Sequence, residues 1–200
     1  MKFLIILLFL TFCTSNTFAQ SLTLKVGGNY NRTIRAADPE IPHFTYDDFS
    51  PKSGYQAGLT YKYPLRKSFF IDAEVGYLSK GHERIVGWPR KLANSVDYNY
   101  LTFMPSVGYN LPLGFSLKAG IGINYLLNSP KFTEGTIDKM QYALSTVLAY
   151  KYKRFGAEIS YNKNIHVIHR FEGFGQKFEN YHEWYAASLS FDIFKKRIKE

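Results

Sequence analysis

The chain has 200 residues, 25 Lys and Arg against 16 Asp and Glu, a formal net charge of +9 and a single cysteine. One cysteine excludes a disulfide framework, and basic residues scattered behind an export leader argue against a nucleic-acid partner. The positive excess suits general solubility or contact with anionic lipid headgroups. A mean hydropathy of −0.23 does not exclude a membrane barrel, because strands with one polar face average to a weak signal.

Residues 1–19 are predicted to be a secretory signal peptide. Lys2 supplies the positive start, Phe3 to Phe12 is apolar except for Thr11, and Thr17-Phe18-Ala19 offers a small-x-small exit before Gln20. The apolar run is too short for a transmembrane helix. Cys13 follows the bulky Phe12 rather than a small residue, which speaks against lipidation. Cleavage after Ala19 leaves a mature chain without cysteine, read as one domain over residues 20–194 with a short basic periplasmic tail at 195–200.

Eight segments then alternate apolar and polar side chains, at 21–30, 54–63, 69–78, 101–110, 115–126, 141–151, 155–162 and 183–193. Apart from Glu183 at the start of the last segment, their apolar phase carries no charge, and Thr146 is its one polar uncharged member; Tyr55, Ala57, Leu59, Tyr61 and Tyr63 are typical. A period of two means strand, and strands of about ten residues with one uncharged face suit a barrel wall in a bilayer. The connections after strands two, four and six are short (64–68, 111–114, 152–154), and the others are long (31–53, 79–100, 127–140, 163–182). The predicted fold is therefore all-β, an eight-stranded antiparallel up-and-down transmembrane β-barrel with both termini periplasmic.

Aromatic residues close both ends of the apolar band. Tyr30, Tyr55, Tyr77, Tyr125, Tyr142, Tyr161 and Tyr185 stand on the loop side, and Tyr63, Phe69, Tyr109, Phe115, Tyr150, Phe155 and Phe191 on the turn side. Such rings favour the headgroup level. A soluble barrel with the apolar phase inward would need a strongly charged outer phase. The other phase here is instead rich in Gly, Ser, Thr and Asn, which fits a cramped interior. Its charges balance, Lys25, Lys62, Lys118 and Lys151 against Asp72, Glu74, Glu158 and Asp192, and predict a lumen plugged by ion pairs. Pro105 lies mid-strand, cannot donate to a ladder, and predicts a bulge or a locally unpaired site.

With those strands in place, the chain resembles the PorT-like group of small outer-membrane barrels, related in architecture to OmpX and the OmpA membrane domain. The resemblance spans nearly all of residues 20–200. It rests on Leu24-Lys25-Val26-Gly27-Gly28-Asn29, Gly54-Tyr55-Gln56-Ala57-Gly58-Leu59, Ala73-Glu74-Val75-Gly76-Tyr77-Leu78-Ser79-Lys80-Gly81, and Leu101-Thr102-Phe103-Met104-Pro105. It implies no catalytic set and no cofactor, and at family level an association with protein secretion. Such barrels usually end on an aromatic residue; here six residues follow Phe191-Asp192-Ile193-Phe194.

Other chemistry is thinner. His43, His82, His166, His169 and His182 fall in the long connections and are expected to be solvated. The His166–His169 spacing lacks cysteine support, and no metal site is expected. A lipid A-modifying enzyme would need Ser, His and a carboxylate together near the membrane face, and only His82-Glu83 and His182-Glu183 stand at the rim. Asp72 and Glu74 have no nucleophile beside them. The loops carry Phe44, Tyr46, Phe49, Trp88, Arg90, Phe171 and Phe174, materials of a binding surface that would equally pack over the mouth or rest on lipopolysaccharide. The expected protein is a monomeric, non-enzymatic outer-membrane barrel in contact with lipid and lipopolysaccharide, with loops open to a protein or ligand. A small-solute porin is the second reading and a lipid A-modifying enzyme the third.

Overall fold

The structure, a computed structural model, describes residues 21–36, 47–66, 68–86, 91–128, 136–165, 169–173 and 176–195. The leader and the tail expected at the two chain ends lie outside them, apart from Lys195. Eight strands form the wall: β1 (Ser21–Ala36), β2 (Asp47–Pro64), β3 (Phe69–Val86), β4 (Lys91–Asn110), β5 (Phe115–Leu126), β7 (Met140–Tyr152), β8 (Phe155–Asn164) and β10 (Gln176–Lys195). Two short strands, β6 (Thr136–Ile137) and β9 (His169–Gly173), extend the sheet from β10 on the loop side. Every neighbour pairs antiparallel, and β1 pairs β10 from Ser21↔Lys195 to Ala36↔Glu179, which closes the barrel.

Alternation decides which residues face out. The apolar phase is exposed and the polar phase buried, the reverse of a water-soluble protein. Leu144, Ile159 and Leu189 are 55%, 59% and 68% exposed, while Lys118 and Asp192 are 4% and 1%. Only hydrocarbon makes such an exterior favourable, and only a closed sheet satisfies its own backbone there. Outward rings pair across strands at both ends of the band, as in Tyr55–Tyr77, Tyr161–Tyr185, Phe69–Tyr109 and Phe115–Tyr150.

The turns on one side are short. A 3₁₀ turn over Pro112–Gly114 joins β4 to β5, with Leu113 at φ 61° and Gly114 at φ 84°, and Lys153 at φ 55° turns β7 into β8. On the other side the strands run much further than the alternating segments. Most of the connection expected at 79–100 is strand, since β3 reaches Val86 and β4 begins at Lys91, paired down to Val86↔Lys91. β1 continues to Ala36, and β2 and β10 begin at Asp47 and Gln176. Beyond Tyr77 the outward face turns polar, while Leu78, Val96, Tyr98 and Tyr100 stay buried inward, so the lipid-facing half of the alternation stops while backbone pairing continues.

At Pro105 the β4–β5 ladder lapses between Phe103↔Ile123 and Ser106↔Gly120 with the register unchanged. The site is unpaired, not bulged. Its carbonyl points toward Gly120 on β5, so the ring nitrogen occupies the position of the missing donor.

Candidate functional site

The inward side chains of β3 name the layers of the lumen from turn end to loop end: Phe70, Asp72, Glu74, Gly76, Leu78, Lys80 and His82. At the turn end, Phe70 is fully buried and fits because Gly108 beside it lacks a side chain; a Cβ there would lie 2.1 Å from the Phe70 ring. Lys62 stands over that ring at 3.4 Å and donates to Asn110 Oδ1 at 3.0 Å, with no ion pair among the described residues. Lys151 binds Asp192 at 2.6 Å, and Thr23 donates to the same carboxylate oxygen at 2.7 Å.

Above this floor the charges link side by side. Lys25 binds Glu74 and approaches Glu158 at 3.8 Å. Lys118 lies between Glu158, at 3.1 Å, and Asp72, at 3.4 Å. The Ser106 hydroxyl donates to Asp72. Seven of the eight charges read as interior in the sequence thus pair across the lumen, and Lys62 is held by an amide and a ring. Pairing is what permits them there, because an unpaired buried charge costs several kcal/mol.

Next comes space. A cavity of about 40 Å³ lies between the ionic layer and Trp184, lined by Lys25, Glu74, Gln56, Asn124 and Asn162 together with Leu78, Met104, Ala143 and Val147. Gly122 opens onto it; a Cβ there would find its nearest neighbour, Ala143, at 3.8 Å. Among the described residues, the buried Asn124 Nδ2 and Ser145 Oγ find no hydrogen-bond partner.

The layer on the loop side of that cavity was not legible as a site in the sequence. Lys80 is fully buried, with Nζ 3.9 Å above the Trp184 ring, 4.8 Å above the Tyr100 ring and 3.4 Å from Asn164 Oδ1. Asn164 in turn donates to Gln141 Oε1 at 3.4 Å. Two aromatic faces and an amide oxygen take the place of a carboxylate. Lys80 lies beyond Tyr77, the last outward ring of β3. Its neighbour Gly81 pairs with Asp97, whose outward carboxylate binds Lys52 at 2.5 Å. Burial pushes the Lys80 ammonium down to about 7, and the ring faces oppose that by favouring the charged form.

His82, Tyr98 and His182 form the outermost described layer, with His82 and His182 at 6.2 Å between ring centres and Tyr98 5.7 and 5.3 Å from them. Thr33 Oγ1 stands 3.3 Å from His82 Nδ1. Burial raises the Tyr98 phenol and keeps it neutral. These two histidines are therefore not solvated loop groups; strand extension carries them into the lumen. Their sequence neighbours Glu83 and Glu183 occupy the opposite face of each strand. Glu183 meets Arg32 at 3.8 Å and accepts from Tyr161 Oη at 3.1 Å, and neither His-Glu dipeptide forms a working pair.

Phe44, Tyr46, Trp88, Arg90, Phe174, His43 and His166 lie outside the described residues. Phe49, Phe171 and His169 belong to β2 and β9, but their side chains lie outside them. Among the described residues no three His, Cys, Asp or Glu are placed to hold a metal. A usable signal for the Lys80 layer did exist. Continuing the inward phase of β4 back from Thr102 gives Tyr100, Tyr98 and Val96, and that of β10 gives Trp184 and His182.

The family model described as outer membrane protein beta-barrel domain matches residues 5–181. The chain belongs to that family. The family places the protein in the outer membrane, and the closed barrel with its apolar exterior accords with that. No curated protein sequence matches the chain. Among solved structures, the outer membrane protein OprG of Pseudomonas aeruginosa is 12% identical with a TM-score of 0.49, covering 89% of this chain and 98% of that one. Neisserial surface protein A is 12% identical with a TM-score of 0.47, covering 88% and 99%. The outer membrane protein AlkL is 10% identical with a TM-score of 0.43, covering 94% and 96%.

Proposed function

We propose that this outer-membrane protein is a non-enzymatic, PorT-like barrel that keeps its lumen shut and works through what it holds above the membrane. The observation that carries this reading is the β3–β4 hairpin, which continues from Tyr77 to Val86 and back from Lys91 to Leu101. Nine residues of strand reach about 30 Å, enough to hold the connection containing Trp88 and Arg90 clear of the lipid headgroups. A stiff ladder also lowers the entropy cost of presenting a binding loop. In this reading the short turns and both termini face the periplasm, residues 1–19 are removed on export, and the monomer sits among lipopolysaccharide with its loops open to a protein or ligand. A role in secretion is the family-level candidate for that partner.

Planar-bilayer recording of the refolded barrel tests the closed lumen. Silence is expected, and steady ion-selective steps would overturn the reading in favour of a porin. The cavity above the ionic layer is the observation that favours this second reading. Overexpression should leave the lipid A mass profile unchanged; a new acylation pattern would refute the non-enzymatic assignment.

A further inference from the structure

The Lys80 layer stacks on Trp184, and Trp184 lines a space below it. Below it lies a cavity of about 40 Å³, several times the roughly 10–15 Å³ that one water requires on this measure. Its wall is polar enough to hold water, since Asn124 Nδ2 faces a space that offers no protein acceptor. Below the cavity Lys25, Glu74, Glu158 and Lys118 form a floor of paired charges. Above it Trp184 and Leu78 form the roof, with Lys80 lying on the far side of the Trp184 ring and the His82–Tyr98–His182 layer beyond. The floor is held by several charge pairs, and Lys80 is held, among the described residues, by two cation–π contacts and one long hydrogen bond.

We propose that the lumen contains a hydrated, dead-end binding chamber for water-sized polar solutes, and that Lys80 on Trp184 and Tyr100 is the latch that closes it from the loop side. The inference goes beyond the closed-lumen reading and stands on this geometry, whatever the loops bind. On the loop side the Trp184 roof is backed by Lys80 without an ion pair among the described residues. Lys80 is a long side chain anchored on the part of β3 that projects past the girdle, so it can leave the rings without disturbing the floor. The chamber offers a solute the Glu74 carboxylate, the Asn124 and Asn162 amides and the Trp184 ring, a set suited to a small polar or cationic guest. Gly122 keeps the space open, because any larger side chain would project into it.

The test uses the absence of other cysteines. In a Cys13→Ser background, Gly122→Cys places the only thiol inside the chamber, where its Cβ has room. The probe is silver ion, and remaining thiol is counted with a maleimide after unfolding. With the latch intact the introduced thiol should resist silver. Trp184→Ala and Lys80→Ala should each speed its reaction about tenfold or more, the scale of one lost cation–π contact. Trp184→Phe, which keeps a ring face, should stay slow. Heat-modifiable migration on gels confirms that each barrel is folded. Rapid reaction with the latch intact would overturn the proposal, as would continued resistance in both folded Ala variants. Conductance recordings decide the closed-lumen reading separately.

Discussion

Lys118→Met removes the cation that the ionic layer is built around. Lys118 Nζ is 3.1 Å from Glu158 and 3.4 Å from Asp72, at 4% exposure. At an effective dielectric of about 20 each contact carries about 5 kcal/mol of attraction, and much of that offsets the desolvation of three ions. What the variant feels is the carboxylates left behind. Glu158 retains only Lys25, at 3.8 Å, and Asp72 retains the Ser106 hydroxyl. The expected loss is the broken-pair value of about 3–5 kcal/mol. With a urea slope of about 2 kcal/mol/M, the unfolding midpoint should fall by about 2 M. The assay is reversible urea unfolding in lipid vesicles, followed by tryptophan fluorescence and gel migration. Adding Glu158→Gln should recover a good part of the loss, because one unpaired charge is then gone. If Lys118→Met costs less than about 1 kcal/mol, the level of an exposed pair, or if the two losses simply add, the layer is wet and the plugged-lumen argument fails.

Three further outcomes follow from the geometry. Pro105→Ala should restore a donor facing β5, adding about 1 kcal/mol and a slowly exchanging amide at residue 105; an amide exchanging at solvent rate would show that the ladder is open for another reason. Gly108→Val should block folding by driving a side chain into the Phe70 ring, and Phe70→Ala in the same chain should restore heat-modifiable migration; no rescue would mean the clash lies in the backbone. Lys80 binds its proton less tightly in the folded barrel, at about 7, than the ordinary 10.5 in the unfolded chain. The unfolded state therefore binds more protons between those values, and urea stability should rise from pH 7 to pH 10. Lys80→Met should flatten that rise, and an unchanged slope would show that Lys80 stays charged on its rings.

The wall was readable because lipid imposes one rule on every outward position, and a rule repeated along eight strands survives any local exception. The interior charges could be picked out because they fall on the inward phase of those same strands, yet their partners could not, since pairing depends on which strands the closed barrel sets face to face. Lys80 escaped because a lysine after Tyr77-Leu78-Ser79 looks like the start of a loop. Its ring partners lie on β4 and β10, at or just beyond the edge of the segments where alternation is visible. His82 and His182 misled for the same reason. Above the girdle a strand has protein or water on both faces, so its sequence loses its period while its backbone keeps pairing.

The seam between β1 and β10 bears on how the molecule assembles. It joins the two ends of the described chain, Ser21 opposite Lys195, the least local pairing among the described strands. Hairpins such as β7–β8 can form while the polypeptide is incomplete, but β1 keeps an open edge until the final strand exists. Closing so large a loop carries the greatest entropy penalty and is the slow step. Until then the edge of β1 is a template for the wrong strand. The long run of pairs from Ser21 to Ala36, extending past the girdle, gives the last partner to arrive a large reward for choosing correctly.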